Sequence, residues 1–84
     1  AVADVRADAA RSVADSLVAA GAEAMAIGVD IADDAAVAAA VGDIVARFGG
    51  LDVLVNNASI FSTLKMRPFY EIPVEEWRKV IDVN

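Results

Sequence analysis

Amide and carboxylate side chains at the ends of apolar runs are the chemically most informative feature of the sequence. The run at residues 51–55 follows two glycines and stops at Asn56 and Asn57. This pattern predicts a buried parallel strand over residues 51–56. Open α/β sheets bind ligands just beyond the carboxyl ends of such strands. The two amides, which donate and accept hydrogen bonds, are therefore candidate ligand-binding groups. Turn chemistry at the end of a strand is the alternative explanation.

Helices and strands alternate along the sequence in the order expected of an α/β fold. Apolar spacing predicts a helix over residues 7–20 that ends at Gly21, and a second over residues 34–48 with Asp33 as its N-cap. A third helix is expected to begin near Pro73. Residues 1–4 are too short for a full strand and are expected to be the end of one, and strands are expected at residues 24–29 and 51–56. This order implies a parallel sheet with right-handed crossovers. The side chains expected to be buried on the first two helices are Ala10, Val13, Ala14, Leu17 and Val18, then Val37, Val41, Ile44, Val45 and Phe48.

Three motifs resemble the classical short-chain dehydrogenases/reductases. Residues 51–59, Leu-Asp-Val-Leu-Val-Asn-Asn-Ala-Ser, are similar to the Asn-Asn-Ala-Gly signature of that family. Residues 76–84 resemble the helix that carries its catalytic asparagine, and residues 28–31 resemble its adenine-contacting segment. The motifs occur in family order, and the resemblance covers nearly all 84 residues. It implies that residues 1–84 form part of a Rossmann-like doubly wound sheet that binds NAD(P), with strand 1, the glycine-rich loop and the C-terminal half missing. Such a piece is not expected to be stable alone.

The resemblance assigns cofactor contacts to several residues. Asp4 would accept hydrogen bonds from the adenosine ribose, which favours NAD because a carboxylate repels the 2′-phosphate of NADP. Arg6 is the counter-argument, since an arginine there would suit that phosphate. Asp30 would bind the adenine amino group, with Ile31 against the ring. For both aspartates, a turn or capping role is the alternative.

Cleft-lining and catalytic roles follow from the other two motifs. The resemblance places Asn57, Ala58 and Ser59 along the cofactor cleft, although Ser59 stands where the family usually has glycine. Asn84 would be the catalytic asparagine, which holds a water in a proton relay from the catalytic lysine. A helix-bending or capping asparagine is the alternative. Tyr70 is not expected to be catalytic, because Val74 occupies the lysine position of Tyr-x-x-x-Lys.

Two apolar groups near the C-terminal end have open interpretations. Ile60, Phe61 and Leu64 follow the asparagines, and they are expected either to line a substrate pocket or to cover the sheet. Val74, Trp77 and Ile81 share one face of the third helix, where packing into a core is the expected role.

Composition excludes several classes of function. Thirteen acidic and seven basic residues give a net charge of −6, which argues against binding to nucleic acid. The sequence has no cysteine and no histidine, so we expect no disulfide and no metal site. No apolar run is long enough to span a membrane, and a cytoplasmic protein is expected.

The resemblance implies an oxidoreductase that transfers hydride between NAD(P) and a secondary alcohol or ketone. These 84 residues contain no counterpart of the family's catalytic serine or Tyr-x-x-x-Lys, so we expect no turnover from them alone. The resemblance also implies a small-molecule substrate and a homo-oligomer, a dimer or tetramer. A non-catalytic dinucleotide-binding or scaffold protein is the main alternative, and an isomerase or dehydratase is a weaker one.

Overall fold

The computed structural model describes residues 1–84 and confirms the predicted α/β class. The elements are β1 (Val2–Asp4), α1 (Ala7–Ala19), β2 (Ala26–Gly28), α2 (Asp34–Phe48), a 3-10 turn (Phe69–Glu71) and α3 (Val74–Val83). They belong to two compact units, Ala1–Leu54 and Val55–Asn84.

A βαβ arrangement organises the first unit. Strands β1 and β2 pair in parallel, with Val2 opposite Ala26 and Asp4 opposite Gly28. Helix α1 packs against both strands. The packing is closest at Gly28, where an added Cβ would lie 2.8 Å from the Cβ of Ala7. Only glycine fits this crossing of strand and helix without a shift of the backbone.

The C-terminus of α1 is closed by a glycine in the left-handed region. The cap residue is Ala20, and Gly21 follows it with a φ of +93°. The Gly21 N–H donates to the Val18 carbonyl over 2.9 Å, and the Ala22 N–H donates to the Leu17 carbonyl over 3.0 Å. This pair of bonds is the Schellman motif. The predicted end of the helix is therefore correct to within one residue.

Helix α2 has the boundaries that its sequence predicts. The Asp33 side chain accepts hydrogen bonds from the Ala35 and Ala36 N–H groups, each over 3.0 Å. At the other end, Gly49 is the C-cap with a φ of +85°, and its N–H donates to the Val45 carbonyl. Both ends are set by side chains or backbone within a few residues, which is why the sequence reveals them.

Burial is sparse, and the burial predicted for α1 and α2 is confirmed only in part, since Val37, Ile44 and Phe48 are half-buried. The buried apolar residues are Ala10, Ala14, Val29 and Ala40. The larger side chains of both predicted faces stay at least partly exposed, among them Val13, Leu17, Val18, Val41 and Val45. A two-stranded sheet offers too little surface to cover two amphipathic helices, so only the small residues nearest to a neighbouring element are enclosed.

The strand predicted over residues 51–56 is not formed. Val53 and Val55 are 75% and 76% exposed, and no other strand pairs with this segment. A strand is defined by its hydrogen-bonded neighbour, so an apolar run without that neighbour stays irregular. The Asn57 N–H instead donates to the Val55 carbonyl over 3.0 Å, which makes a tight turn around Asn56.

The second unit contains the 3-10 turn and α3. Pro68 and Pro73 precede these two elements with extended backbone, and α3 begins at Val74 as predicted. The packing predicted for Val74, Trp77 and Ile81 is wrong, because all three remain substantially exposed and no other element of this unit covers them. None of the helices has the length and apolar character that a membrane crossing requires.

Candidate functional site

Two candidate carboxylates lie at one edge of the small sheet. Asp4 is the last residue of β1 and pairs with Gly28, the last residue of β2. The Asp4 carbonyl also accepts a hydrogen bond from the Val29 N–H over 3.0 Å, and Asp30 follows directly. The parallel register therefore brings Asp4 and Asp30 to the carboxyl edge, the edge at which α/β sheets bind ligands.

Asp4 combines a local turn with spare hydrogen-bonding capacity. Its Oδ1 accepts a hydrogen bond from the Arg6 backbone N–H over 2.8 Å, and the Arg6 Nε lies 3.9 Å from the same oxygen. The side chain is 42% exposed, and Oδ2 accepts no hydrogen bond within the chain. The turn and a ribose contact are compatible, because a carboxylate has about four acceptor positions.

Asp30 has the same pattern. Its Oδ1 accepts from the Ala32 N–H over 3.0 Å, and its carbonyl accepts from the Asp33 N–H over 3.1 Å. These bonds form the turn that leads to the N-cap of α2. Ile31 lies in this turn with an exposed apolar side chain. The turn alternative is thus realised for Asp30, with one oxygen left available to a ligand.

The candidate cofactor residues of the second unit lie in a loop. Asn57, Ala58 and Ser59 are exposed and irregular in structure. No residue other than glycine has a positive φ, so Ser59 fits its position without the strain that a side chain adds in the left-handed region. The serine therefore introduces no distortion of the loop.

Asn84 connects this loop to the end of α3. Its Oδ1 accepts a hydrogen bond from the Ile60 N–H over 2.8 Å, and its Nδ2 donates to the Ile60 carbonyl over 3.1 Å. One side chain thus satisfies both backbone groups of the residue that follows Ser59. Residue type alone gives no hint of this partner, because the two residues are 24 positions apart.

A second connection in the same unit was not predicted. The Arg67 guanidinium forms an ion pair and hydrogen bond with the Glu76 carboxylate in the first turn of α3. The two side chains are only 25% and 31% exposed. Beside Glu76 lies a pocket of about 230 Å³, lined by Leu64, Lys65, Ile72, Glu76, Trp77 and Val80. An oppositely charged pair nine residues apart was the only available sequence signal, and it is a weak one.

Two other features bear on the chemistry of the chain: metal-ligand clusters and Tyr70. No group of three or more acidic, cysteine or histidine side chains is placed to hold a metal ion. Tyr70 makes an edge-to-face contact with Phe69, with ring centroids 5.5 Å apart, and no lysine stands four residues after it. The candidate groups are therefore hydrogen-bonding ones: Asp4 and Asp30 in the first unit, and the loop tied to Asn84 in the second.

Comparison with known proteins covers the whole chain. A family model described as short chain dehydrogenase matches residues 1–84. The sorbitol dehydrogenase of Cereibacter sphaeroides is 34% identical over 84 residues, which are 100% of this chain and 30% of that protein. The cyclohexanol dehydrogenase of Acinetobacter sp. (strain SE19) is 39% identical over 83 residues, or 99% of this chain and 32% of that protein.

A reductase is also similar to most of this chain. The 3-oxoacyl-(acyl-carrier-protein) reductase of Staphylococcus aureus is 41% identical over 76 residues, which are 89% of this chain and 29% of the reductase. The chain thus spans about 30% of the length of these curated relatives. The match of the family model over every residue, together with these identities, shows that the chain belongs to the short-chain dehydrogenase family of oxidoreductases.

Proposed function

We propose that the complete protein containing this chain transfers hydride between NAD and a secondary alcohol or ketone. The observation that carries the proposal is the double hydrogen bond between Asn84 and Ile60. It holds the loop with Asn57, Ala58 and Ser59 against the helix end at which the family's catalytic asparagine stands. A bound nicotinamide cofactor supplies the hydride acceptor or donor, while the protein orients the reactants and moves protons.

The first unit offers groups that fit the adenosine half of the cofactor. Asp4 keeps one oxygen for ribose hydroxyls, and Asp30 keeps one for the adenine amino group. The exposed Ile31 side chain supplies an apolar surface for a flat ring. We propose NAD rather than NADP, because the Asp4 carboxylate would repel a 2′-phosphate. Arg6, whose Nε lies 3.9 Å from that carboxylate, is the counter-argument.

Asn84 has two separate tasks in this proposal. Its side chain positions the loop, since both polar atoms bind the backbone of Ile60. We propose that its main-chain carbonyl binds the water of the proton relay, while the second N–H and the second lone pair of the side-chain amide also stay available to a water. The serine and the Tyr-x-x-x-Lys that the family uses for acid–base chemistry have no counterpart in residues 1–84, so we propose that these residues alone do not turn over substrate.

The substrate class follows from the relatives. Their names specify sorbitol, cyclohexanol and a 3-oxoacyl group, and each of these contains a secondary alcohol or the corresponding ketone. We therefore propose a small secondary alcohol or ketone. A homo-oligomer, a dimer or tetramer, is proposed as well, because the exposed Val74, Trp77 and Ile81 leave one face of α3 uncovered within its unit.

Replacement of Asn84 tests the proposal. In the complete protein, Asn84→Ala removes both hydrogen bonds to Ile60, and we expect kcat for NAD-linked alcohol oxidation to fall by roughly 10²-fold, as for other misplaced catalytic geometries. Lys79→Ala is a useful control, because Lys79 is an exposed residue of the same helix and lies outside the candidate site. Unchanged kcat in a folded Asn84→Ala protein would contradict the assignment.

A further inference from the structure

The loop before α3 is anchored to that helix at two points. Asn84 binds Ile60 at the start of the loop, and Glu76 binds Arg67 further along. Glu76 and Asn84 are eight residues apart, which is about 12 Å along a helix axis. Residues 61–66, here called the loop segment, therefore lie between two residues, Ile60 and Arg67, that are each bound to α3.

The large apolar side chains of the loop segment are exposed within this unit. Phe61 is 81% exposed, Met66 is fully exposed, and Leu64 is partly exposed. The Leu64 N–H donates to the Phe61 carbonyl over 3.1 Å, so the segment contains its own turn. It follows Ile60 and the loop of residues 57–59, which is proposed to line the cofactor cleft.

The Arg67–Glu76 pair differs from the two other ion pairs of the chain. Those pairs have N–O distances of 3.9 and 3.8 Å and lie between more exposed side chains. The Arg67 Nε, in contrast, is buried and has no hydrogen-bond partner. Exposed pairs contribute little to stability, whereas removal of one partner from a partly buried pair leaves the other charge less well compensated. The Arg67–Glu76 pair is therefore the contact that fixes the far end of the segment.

We propose that Arg67 and Glu76 are positioning residues for substrate recognition. Their ion pair sets the place of Phe61, Leu64 and Met66, and these side chains contact the hydrocarbon part of an apolar secondary alcohol or ketone. The inference rests on the proposed function and extends it by naming the segment that selects the substrate. Neither charged residue touches the reacting atoms.

The first test measures the position of the segment without any need for activity. In the complete protein, Glu76→Gln weakens the pair, and we expect faster amide hydrogen exchange at residues 61–66, while exchange in α1 is unchanged. The matched control is Glu75→Gln, the same change at the neighbouring exposed residue of the same helical turn. Equal exchange in the two variants would overturn the role of the pair.

The second test measures recognition by steady-state kinetics. For Glu76→Gln we expect KM for cyclohexanol to rise about tenfold with kcat nearly unchanged, the pattern of lost ground-state binding. KM for propan-2-ol, which has little hydrocarbon to contact, should change much less. Arg67→Met should have the same effect, and the double variant should be no worse than either single one, because both remove one interaction.

The outcomes separate the two proposals. Faster exchange with unchanged KM values would overturn the substrate role of the segment and leave the dehydrogenase function standing. Absence of NAD-linked oxidation in the unmodified protein would overturn the proposed function and the substrate role with it, whereas hydrogen exchange would still show whether the pair fixes the segment.

Discussion

At the residue scale, Asp4 and Asp30 show how one carboxylate serves a turn and still remains open to a ligand. Each uses Oδ1 to accept a backbone N–H two residues ahead. These turns were predictable because the short side chain of aspartate reaches the nearby backbone. Their position at the same edge of the sheet was also predictable, since it follows from parallel strand order. The partner of Asn84 was not, because nothing local connects it to Ile60.

Substitution of Asp4 tests the choice of cofactor. Asp4→Asn keeps the acceptor for the Arg6 N–H and removes the negative charge. We expect the preference for NAD over NADP, measured as the ratio of the two kcat/KM values, to fall about tenfold, a modest part of the repulsion between close charges. Asp8→Asn, the same change in the first turn of α1, should leave the ratio unaltered. An unaltered ratio in Asp4→Asn as well would argue against a ribose contact at Asp4.

At the element scale, local signals predicted the helices better than the strands. The cap at Asp33 and the glycines at 21 and 49 act within a few residues, so the helix ends fall at or next to the predicted positions. The segment 51–56 has an equally clear apolar pattern, yet it forms no strand, because a strand also needs a neighbour to pair with. The apolar pattern of a sequence indicates that a segment prefers to be buried, but it does not show whether a neighbouring strand is there to pair with it.

Glycine substitutions distinguish close packing from backbone freedom. Gly28→Ala places a methyl group against Ala7, and we expect it to lower the free energy of unfolding of the complete protein by about 1–3 kcal/mol. Gly42→Ala, in the middle of α2 with no atom within 4 Å of the added Cβ, should raise it by up to about 1 kcal/mol. Chemical denaturation measures both. Equal effects of the two substitutions would refute the close crossing of α1 and β2.

The N-cap of α2 makes a separate prediction. Asp33→Ala removes the acceptor for two backbone N–H groups and should cost about 1 kcal/mol of unfolding free energy. Asp33→Asn keeps an acceptor oxygen and should cost much less. Asp43→Ala, an identical change at an exposed position inside the helix, should be neutral or slightly stabilising, since alanine is the better helix former. A loss in Asp43→Ala as large as that in Asp33→Ala would show that the cap has no special role.

At the scale of the whole molecule, few apolar side chains are buried and many are exposed to solvent. Its buried apolar residues are three alanines and one valine, and no large side chain is fully enclosed. Leu54, Val55, Phe61, Phe69 and Ile81 all lie mostly in solvent. Surface of this kind is normally covered, because large exposed apolar patches are uncommon in stable monomers.

The isolated chain is accordingly expected to lack a cooperative fold. Residues 1–84, prepared alone at a concentration that keeps them monomeric, should show a broad and shallow loss of helical signal on heating, without a calorimetric peak. The physical reason is that the apolar area removed from water is too small to offset the entropy of ordering the backbone. A sharp two-state transition, identical by circular dichroism and calorimetry, would contradict this expectation.

The most direct test of the account follows the hydride itself. The complete protein would be incubated with NAD and secondary alcohols that carry deuterium on the carbinol carbon, including cyclohexanol, and the reduced cofactor analysed by mass spectrometry. We predict reduced nicotinamide that carries the deuterium, in a reaction that Asn84→Ala slows strongly. A protein that binds NAD yet reduces none of it with any alcohol, or that yields reduced cofactor without deuterium, would contradict the central claim.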